Sequence, residues 1–287
     1  MRVAVVIMAY LGSPNGVAQL SDYFASTDAD LYLHVDAKVS SLPYESLLNR
    51  ANLTVLRNRE EIFWGGFNTV RAVISAIEVA LASHIYDRFV VITEDSIPLV
   101  TPSLLMQMLD SDTEWIDYGT TDLEWVWQRY RGYYCFDSFA TSPRHFDPSQ
   151  RSFDAALLTK LGRMADLAIE GKSPLNVMSV GSSWWALSRA AIEVVLTKHR
   201  SDKRFRESFE FSAIPEEHYF QTILALEKWS HPTLPLMHTD FSRFPKPYVY
   251  HDLSEIQLIR AKETCPFLRK VDLQHADIAK FVVEMSQ

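Results

Sequence analysis

Glu216 and Glu217 stand side by side in SAIPEEHYFQTIL, between Pro215 and a run of apolar residues. Two kinds of chemistry suit such a pair. Carboxylates in the first turn of a helix complement the partial positive charge of its free N–H groups, and a proline fits at that point. A carboxylate on the rim of a helix can instead face a cleft and take a proton from a substrate hydroxyl. The run that follows sets Tyr219, Phe220, Ile223, Leu224 and Leu226 on one side at a 3.6-residue period, which predicts a helix over 216–228. On that wheel Glu216 falls near the middle of the apolar side and Glu217 on its edge, where a carboxylate can face a cleft.

Other charged residues sit where chemistry is plausible. Asp36 follows LYLHV, and Glu94 and Asp95 follow FVVIT, so all three end apolar runs. Arg269 and Lys270 form a cationic pair in PFLRKVD, which also reads as the solvated approach to a helix. The triplets Asp28–Asp30 and Asp110–Asp112 have the Asp-x-Asp spacing that can hold a divalent cation through hard oxygen ligands. The first precedes a strand and the second joins a helix to a strand, so both read as turns or caps. The basic run KHRSDKRFR, Lys198 to Arg206, reads as a solvated helix end or as a contact for anionic lipid or an acidic acceptor.

The elements that must position these residues alternate through the first hundred positions. Apolar runs RVAVVIMAY, DLYLHVD, LTVLRN and DRFVVITEDSIPL are separated by helical patterns at 17–24, 44–52 and 69–82. Such alternation predicts an α/β fold with a mostly parallel sheet and helices on both faces. Ligands in such sheets bind beyond the carboxyl ends of the strands, where Asp36, Glu94 and Asp95 lie. The second half is more helical, with patterns at 153–169, 188–198, 216–228, 253–262 and 274–285. With no repeat or Gly/Ser linker, the 287 residues are expected to form one domain, with residues 1–110 as its nucleotide-binding half and 111–287 as its acceptor and catalytic half.

Composition removes several function classes. A net charge of −8 opposes a nucleic-acid interface, which needs a basic face. Cys135 and Cys265 have no metal-type spacing and suggest neither a disulfide framework nor a zinc site. No apolar stretch approaches the roughly twenty residues of a membrane span, and the N-terminal run reads as a strand. Walker, GxGxxG, GxSxG and HExxH patterns are all missing. Between Trp115 and Phe146 the texture turns aromatic and arginine-rich without a regular period. Aromatic faces beside hydrogen-bonding groups suit sugars, although an insertion whose rings simply pack has the same composition.

Seven segments in order resemble the core-2/I-branching β-1,6-N-acetylglucosaminyltransferases and the related peptide O-xylosyltransferases: LYLHVDAK, FWGGFNTVRAVISAI, VVITEDSIPL, VWQRYRGYY, GSSWWALSR, IPEEHYFQTIL and PFLRKVD. The resemblance implies a GT-A-type nucleotide-sugar fold and an inverting mechanism without a metal ion or other cofactor. It implies Glu217 as the general base and Arg269 with Lys270 as the cations on the donor diphosphate. It places Asp36 at the uracil, Ala9 and Tyr10 in the base pocket, and Trp64, Gly65 and Gly66 near the donor. The acceptor side is expected to use Glu124, Trp127, Arg129 and Tyr130 of the aromatic segment, together with Ser182 and Trp184. The implied partners are a UDP-sugar, carrying N-acetylglucosamine or xylose, and a glycan or lipid-linked glycan acceptor, with no nucleic acid. The lack of an anchor and of disulfides points to a bacterial cytoplasmic enzyme, with peripheral membrane contact through 198–206 as the remaining option.

Departures from the family pattern leave alternatives open. Met237 stands where relatives often carry an arginine, with Arg243 as a substitute, and Ser96 replaces an aspartate. These changes motivate two other readings: a degenerate glycan- or nucleotide-binding protein, and a metal-dependent transferase using Glu94 and Asp95.

Overall fold

The computed structural model describes residues 1–138, 155–244, 246–262 and 264–286. The chain runs β1 (Val3–Ala9), α1 (Asn15–Phe24), β2 (Ala29–Val35), β3 (Leu53–Val55), α2 (Asn68–Ser83) and β4 (Arg88–Thr93). It continues through β5 (Ile97–Pro98), α3 (Pro102–Leu109), β6 (Gly119–Thr120), α4 (Glu124–Arg131) and α5 (Ala155–Glu170). Next come β7 (Ser179–Val180), β8 (Trp185–Ser188), α6 (Arg189–Ser201), α7 (Lys203–Glu210) and α8 (Tyr219–Leu226). The last elements are β9 (Met237–Thr239), α9 (Leu253–Lys262), β10 (Phe267–Arg269) and α10 (Ala276–Met285).

The central sheet has the order β3-β2-β1-β4-β8, with all neighbours parallel except the β4–β8 pair. Every residue of β1 and β4 is buried, because both faces of the sheet are covered and an alternating strand would put polar groups into a core. Val3, Val5 and Ile7 pack with α1 and α3 on one face, while Ala4, Val6 and Met8 pack with α2, α6 and α8 on the other. The α/β expectation, a mostly parallel sheet with helices on both sides, therefore holds. A smaller sheet, β5-β10-β9, adjoins it and rests on α10 through Leu268, Ile278 and Phe281. The two expected halves are interleaved, since β8 extends the sheet of the first and β5 joins the strands of the second.

Several sequence expectations change in the structure. The helix expected at 44–52 is a short 3-10 helix, Leu42–Leu47. Conversely, α4 forms inside the stretch that showed no period, burying only Val126 and Tyr130. Part of that stretch, 139–146, and the start of the helix expected from 153 lie outside the described residues. The basic run is not one helix end. Asp202 interrupts it and caps α7 by accepting the Phe205 N–H at 2.9 Å. Its cations are also engaged: Lys198 with Asp202 at 2.9 Å, Arg200 with Glu78 at 2.7 Å, and Arg204 with the Glu170 carbonyl at 2.7 Å. Among the described residues no helix is long and apolar enough to cross a membrane.

Candidate active site

The ends of β1, β2 and β4 point to one place, as the parallel topology requires. Glu94, just beyond β4, accepts the Tyr10 N–H at 2.5 Å, the Leu11 N–H and the Tyr44 hydroxyl at 2.7 Å. Asp95 accepts the Tyr10 hydroxyl at 2.5 Å and the Thr93 hydroxyl, and lies 3.4 Å from Arg269 Nε. These carboxylates tie the strand ends together. Burial pushes the Glu94 carboxyl up, against the hydrogen bonds that favour its charge.

A cleft of about 410 Å³ opens above these strand ends and is lined by Ala9, Tyr10, Asp36, Lys38, Trp64, Trp184, Glu216, Arg269 and Lys270 among others. Asp36 is 4% exposed; it donates its N–H to the Ala9 carbonyl at 2.9 Å and accepts Lys38 Nζ at 2.6 Å. Arg269 reaches Thr93 Oγ1 at 3.1 Å and the Tyr10 hydroxyl at 3.3 Å, with its guanidinium 4.7 Å above the Trp184 ring. Lys270 Nζ lies 5.4 Å from the Tyr10 ring centre, and burial followed by the Arg269 charge draws its ammonium down from the usual lysine range. The cleft thus combines a buried carboxylate at one end with two partly desolvated cations at the other.

A larger cleft of about 690 Å³ continues from it and shares Trp64, Trp184, Glu216, Arg269 and Lys270, adding Ser182, Asp117, Glu217 and Met237. Both glutamates enter on an elbow, not on a helix. Ile214 has φ 51°, a left-handed conformation that a β-branched residue adopts only when its surroundings impose it. Its N–H bonds the Gly65 carbonyl at 2.9 Å. Pro215–Glu217 then form a 3-10 turn, and α8 begins only at Tyr219. The uninterrupted helix expected from 216 is thereby corrected.

The elbow gives the two acids different environments. Glu217 Oε2 accepts Arg129 Nη1 at 2.9 Å, and Arg129 lies over the Trp125 ring at 4.5 Å. The Glu217 carbonyl accepts the Gly181 N–H at 3.0 Å, which ties the turn to the wall carrying Ser182 and Trp184. Glu216 keeps some exposed surface, but its Oε2 is sealed from solvent and has no hydrogen-bond partner. Burial, and after it the Glu217 charge, pushes the Glu216 carboxyl up to about 8. His218, buried next to them, is pushed down to about 3 by burial and the Arg129 charge, so it is neutral.

Of the residues singled out in the sequence, Ala9, Tyr10, Asp36, Trp64, Ser182, Trp184, Glu217, Arg269 and Lys270 line these two joined clefts. Arg129 enters through Glu217. Gly65 and Gly66 do not line the clefts: a Cβ on Gly65 would meet the Phe136 ring at 3.3 Å, and one on Gly66 would fall 1.9 Å from Asp137 Oδ1. Their lack of side chains admits the 136–137 turn, whose Asp137 accepts the Asn68 N–H at the start of α2 at 2.9 Å. On α4, Glu124 pairs with Arg131 at 3.0 Å on the surface, Trp127 packs against the core, and Tyr130 is 4% exposed with its hydroxyl on the Ser173 carbonyl at 2.7 Å. These three do not line the clefts. Neither does Arg243, which is held by Asp240 at 2.7 Å and Glu255 at 2.8 Å and stacks 3.7 Å from the Tyr248 ring centre. The sequence reading missed Lys38, whose spacing from Asp36 just past a strand was the available signal, and the cleft position of Glu216.

A family model described as "Core-2/I-Branching enzyme" matches residues 8–258. The match stops short of Arg269 and Lys270, so the placement of that pair rests on the cleft geometry. No curated protein matches the sequence. Among solved structures, the chain is similar to the apo-form glycosyltransferase GlyE of Streptococcus pneumoniae TIGR4 at 10% identity and TM-score 0.36, covering 100% of this chain and spanning 60% of that one. It is also similar to the galactosyltransferase LgtC in complex with donor and acceptor sugar analogs, at 12% identity and TM-score 0.40, covering 99% and 95%. Likenesses at these scores are loose.

Proposed function

The chain belongs to the core-2/I-branching enzyme family, a family of glycosyltransferases, and from that premise we propose that it is an inverting, metal-independent transferase. In this reading it moves N-acetylglucosamine or xylose from a UDP-sugar to a hydroxyl of a glycan acceptor. The observation that carries the proposal is the continuity of the two clefts, which join Asp36 and Tyr10, through Arg269 and Lys270, to Glu217.

The base pocket lies between Asp36 and the end of β1, with the uracil facing Asp36. Arg269 and Lys270 take the diphosphate; charge-assisted hydrogen bonds there stabilise the charge that grows as the sugar–phosphate bond breaks. Glu217, oriented by Arg129, accepts the proton of the acceptor hydroxyl while that oxygen attacks the anomeric carbon from the face opposite the phosphate. A single displacement turns an α-linked donor into a β-linked product. Glu216 holds its own proton at neutral pH, so the adjacent acids do not both carry charge. Metal independence is supported by the engagement of Glu94 and Asp95: their oxygens already accept N–H and O–H groups of the protein.

Saturation-transfer NMR across a panel of nucleotide sugars, followed by kinetics of Glu217→Gln, tests the reading. UDP-sugars are expected to give signals where GDP- and CMP-sugars do not. The variant should lose about 10²–10⁴-fold in kcat with UDP affinity nearly unchanged. Full activity in Glu217→Gln would remove the catalytic assignment, and binding without turnover in the native protein would favour a glycan- or nucleotide-binding role.

A further inference from the structure

Away from the joined clefts, the turn after β10 brings together three ligand-type side chains that the transfer reaction does not use. His251, Asp272 and His275 each offer one atom, and the three atoms lie within 4.8 Å of one another. Asp272 Oδ2 is 3.3 Å from His251 Nδ1 and 3.7 Å from His275 Nε2. Tetrahedral bonds of about 2.0–2.1 Å to zinc set neighbouring donor atoms about 3.4 Å apart, and the two spacings from Asp272 lie close to that value.

The backbone around the cluster is already fixed. Asp272 donates its N–H to the Tyr250 carbonyl at 3.0 Å, and Tyr250 bridges Val271, so the two chain segments are aligned side by side. Asp272 Oδ1 accepts the Gln274 N–H at 3.0 Å, which leaves Oδ2 turned to the imidazoles. Such outer contacts orient ligands in metal sites. Side-chain exposures of 52% for His251 and 45% for His275 leave a path for an ion.

We propose that His251, Asp272 and His275 form a binding site for a divalent transition-metal ion of the zinc class, with water completing the shell. Two imidazoles and one carboxylate favour zinc, cobalt or nickel over magnesium and calcium, which prefer oxygen ligands. The site does not rest on the transferase reading and supplies no atom to that reaction, because neither histidine lines the joined clefts. Its consequence is mechanical. Asp272 lies two residues after Lys270 and shares with it a side cavity of about 340 Å³ that also touches Tyr10. An ion would clamp 250–251 to 272–275 and stiffen the segment that ends in Lys270.

The test is calorimetric titration of the metal-free full chain with Zn²⁺ and with Mg²⁺, alongside His251→Ala and His275→Ala. The native protein should bind one equivalent of Zn²⁺ with a rise in Tm and show no response to Mg²⁺. Each variant should bind at least about 10–100-fold more weakly and lose the zinc-dependent rise, while matching the native Tm in chelator, which verifies folding. Equal zinc affinity in either variant, or no single-equivalent binding in the native chain, would overturn the site and assign any uptake to others of the nine histidines.

Discussion

An ordinary glutamate releases its proton near pH 4.5, whereas Glu216 holds it to about pH 8. Between those values the folded chain carries a proton that the unfolded chain has lost, so the contribution of Glu216 to stability is fully present below pH 4.5 and is lost as pH rises toward 8. The full range corresponds to on the order of a few kcal/mol. Glu216→Gln removes this dependence: we expect its Tm to exceed the native value at pH 8 and the difference to shrink or reverse at pH 5, as followed by thermal melts. Activity of that variant should remain near native at pH 7. A loss as deep as that of Glu217→Gln would transfer the base to Glu216. Lys270→Ala behaves differently from both, weakening UDP binding and turnover together, because it removes charge beside the diphosphate in ground and transition states alike. Isothermal titration with UDP separates Lys270→Ala from the two glutamate variants, and kcat separates those two from each other.

The elements set which aromatic residues are free to meet a sugar. The helix α4 turns Tyr130 into the core and packs Trp127 against it, whereas Trp64, 68% exposed, stands on the rim shared by both clefts. Trp127→Ala should therefore lower Tm, by on the order of 1–3 kcal/mol of stability, with acceptor KM unchanged. Trp64→Ala should raise a substrate KM at native Tm. Gly66→Ala should also destabilise, since its methyl would collide with Asp137 beneath the elbow. Strand–helix alternation made the sheet and most helices legible in the sequence, because buried parallel strands carry continuous apolar runs and α2 a strong period. The strand-end residues of the site followed from that topology. The short amphipathic period of α4 was hidden by its charged and aromatic exterior. The break before α8 depends on Ile214 held left-handed by a bond to Gly65, a contact between residues 149 positions apart that no local pattern encodes.

For the whole molecule, one expectation concerns ions. Transfer, or slow donor hydrolysis, should continue unchanged in excess EDTA, since the carboxylates nearest the diphosphate cations are occupied by protein donors. Abolition by the chelator with rescue by manganese or magnesium would move the chemistry to Glu94 and Asp95. The negative overall charge makes the pair Arg269–Lys270 a local exception that a doubly charged leaving group can find.

The placement of β10 between β5 and β9 sets an order in time. During synthesis β5 and β9 leave the ribosome first, and their common partner emerges after both, carrying Arg269 at its end. Until then the smaller sheet has no centre and the cleft has neither Arg269 nor Lys270. A nascent chain with β1, β2 and β4 in place can build the wall that carries Asp36 but lacks the two cations proposed to grip a nucleotide. In the proposed reading, donor capture is thus withheld from an unfinished polypeptide and begins only when the late strand has been inserted.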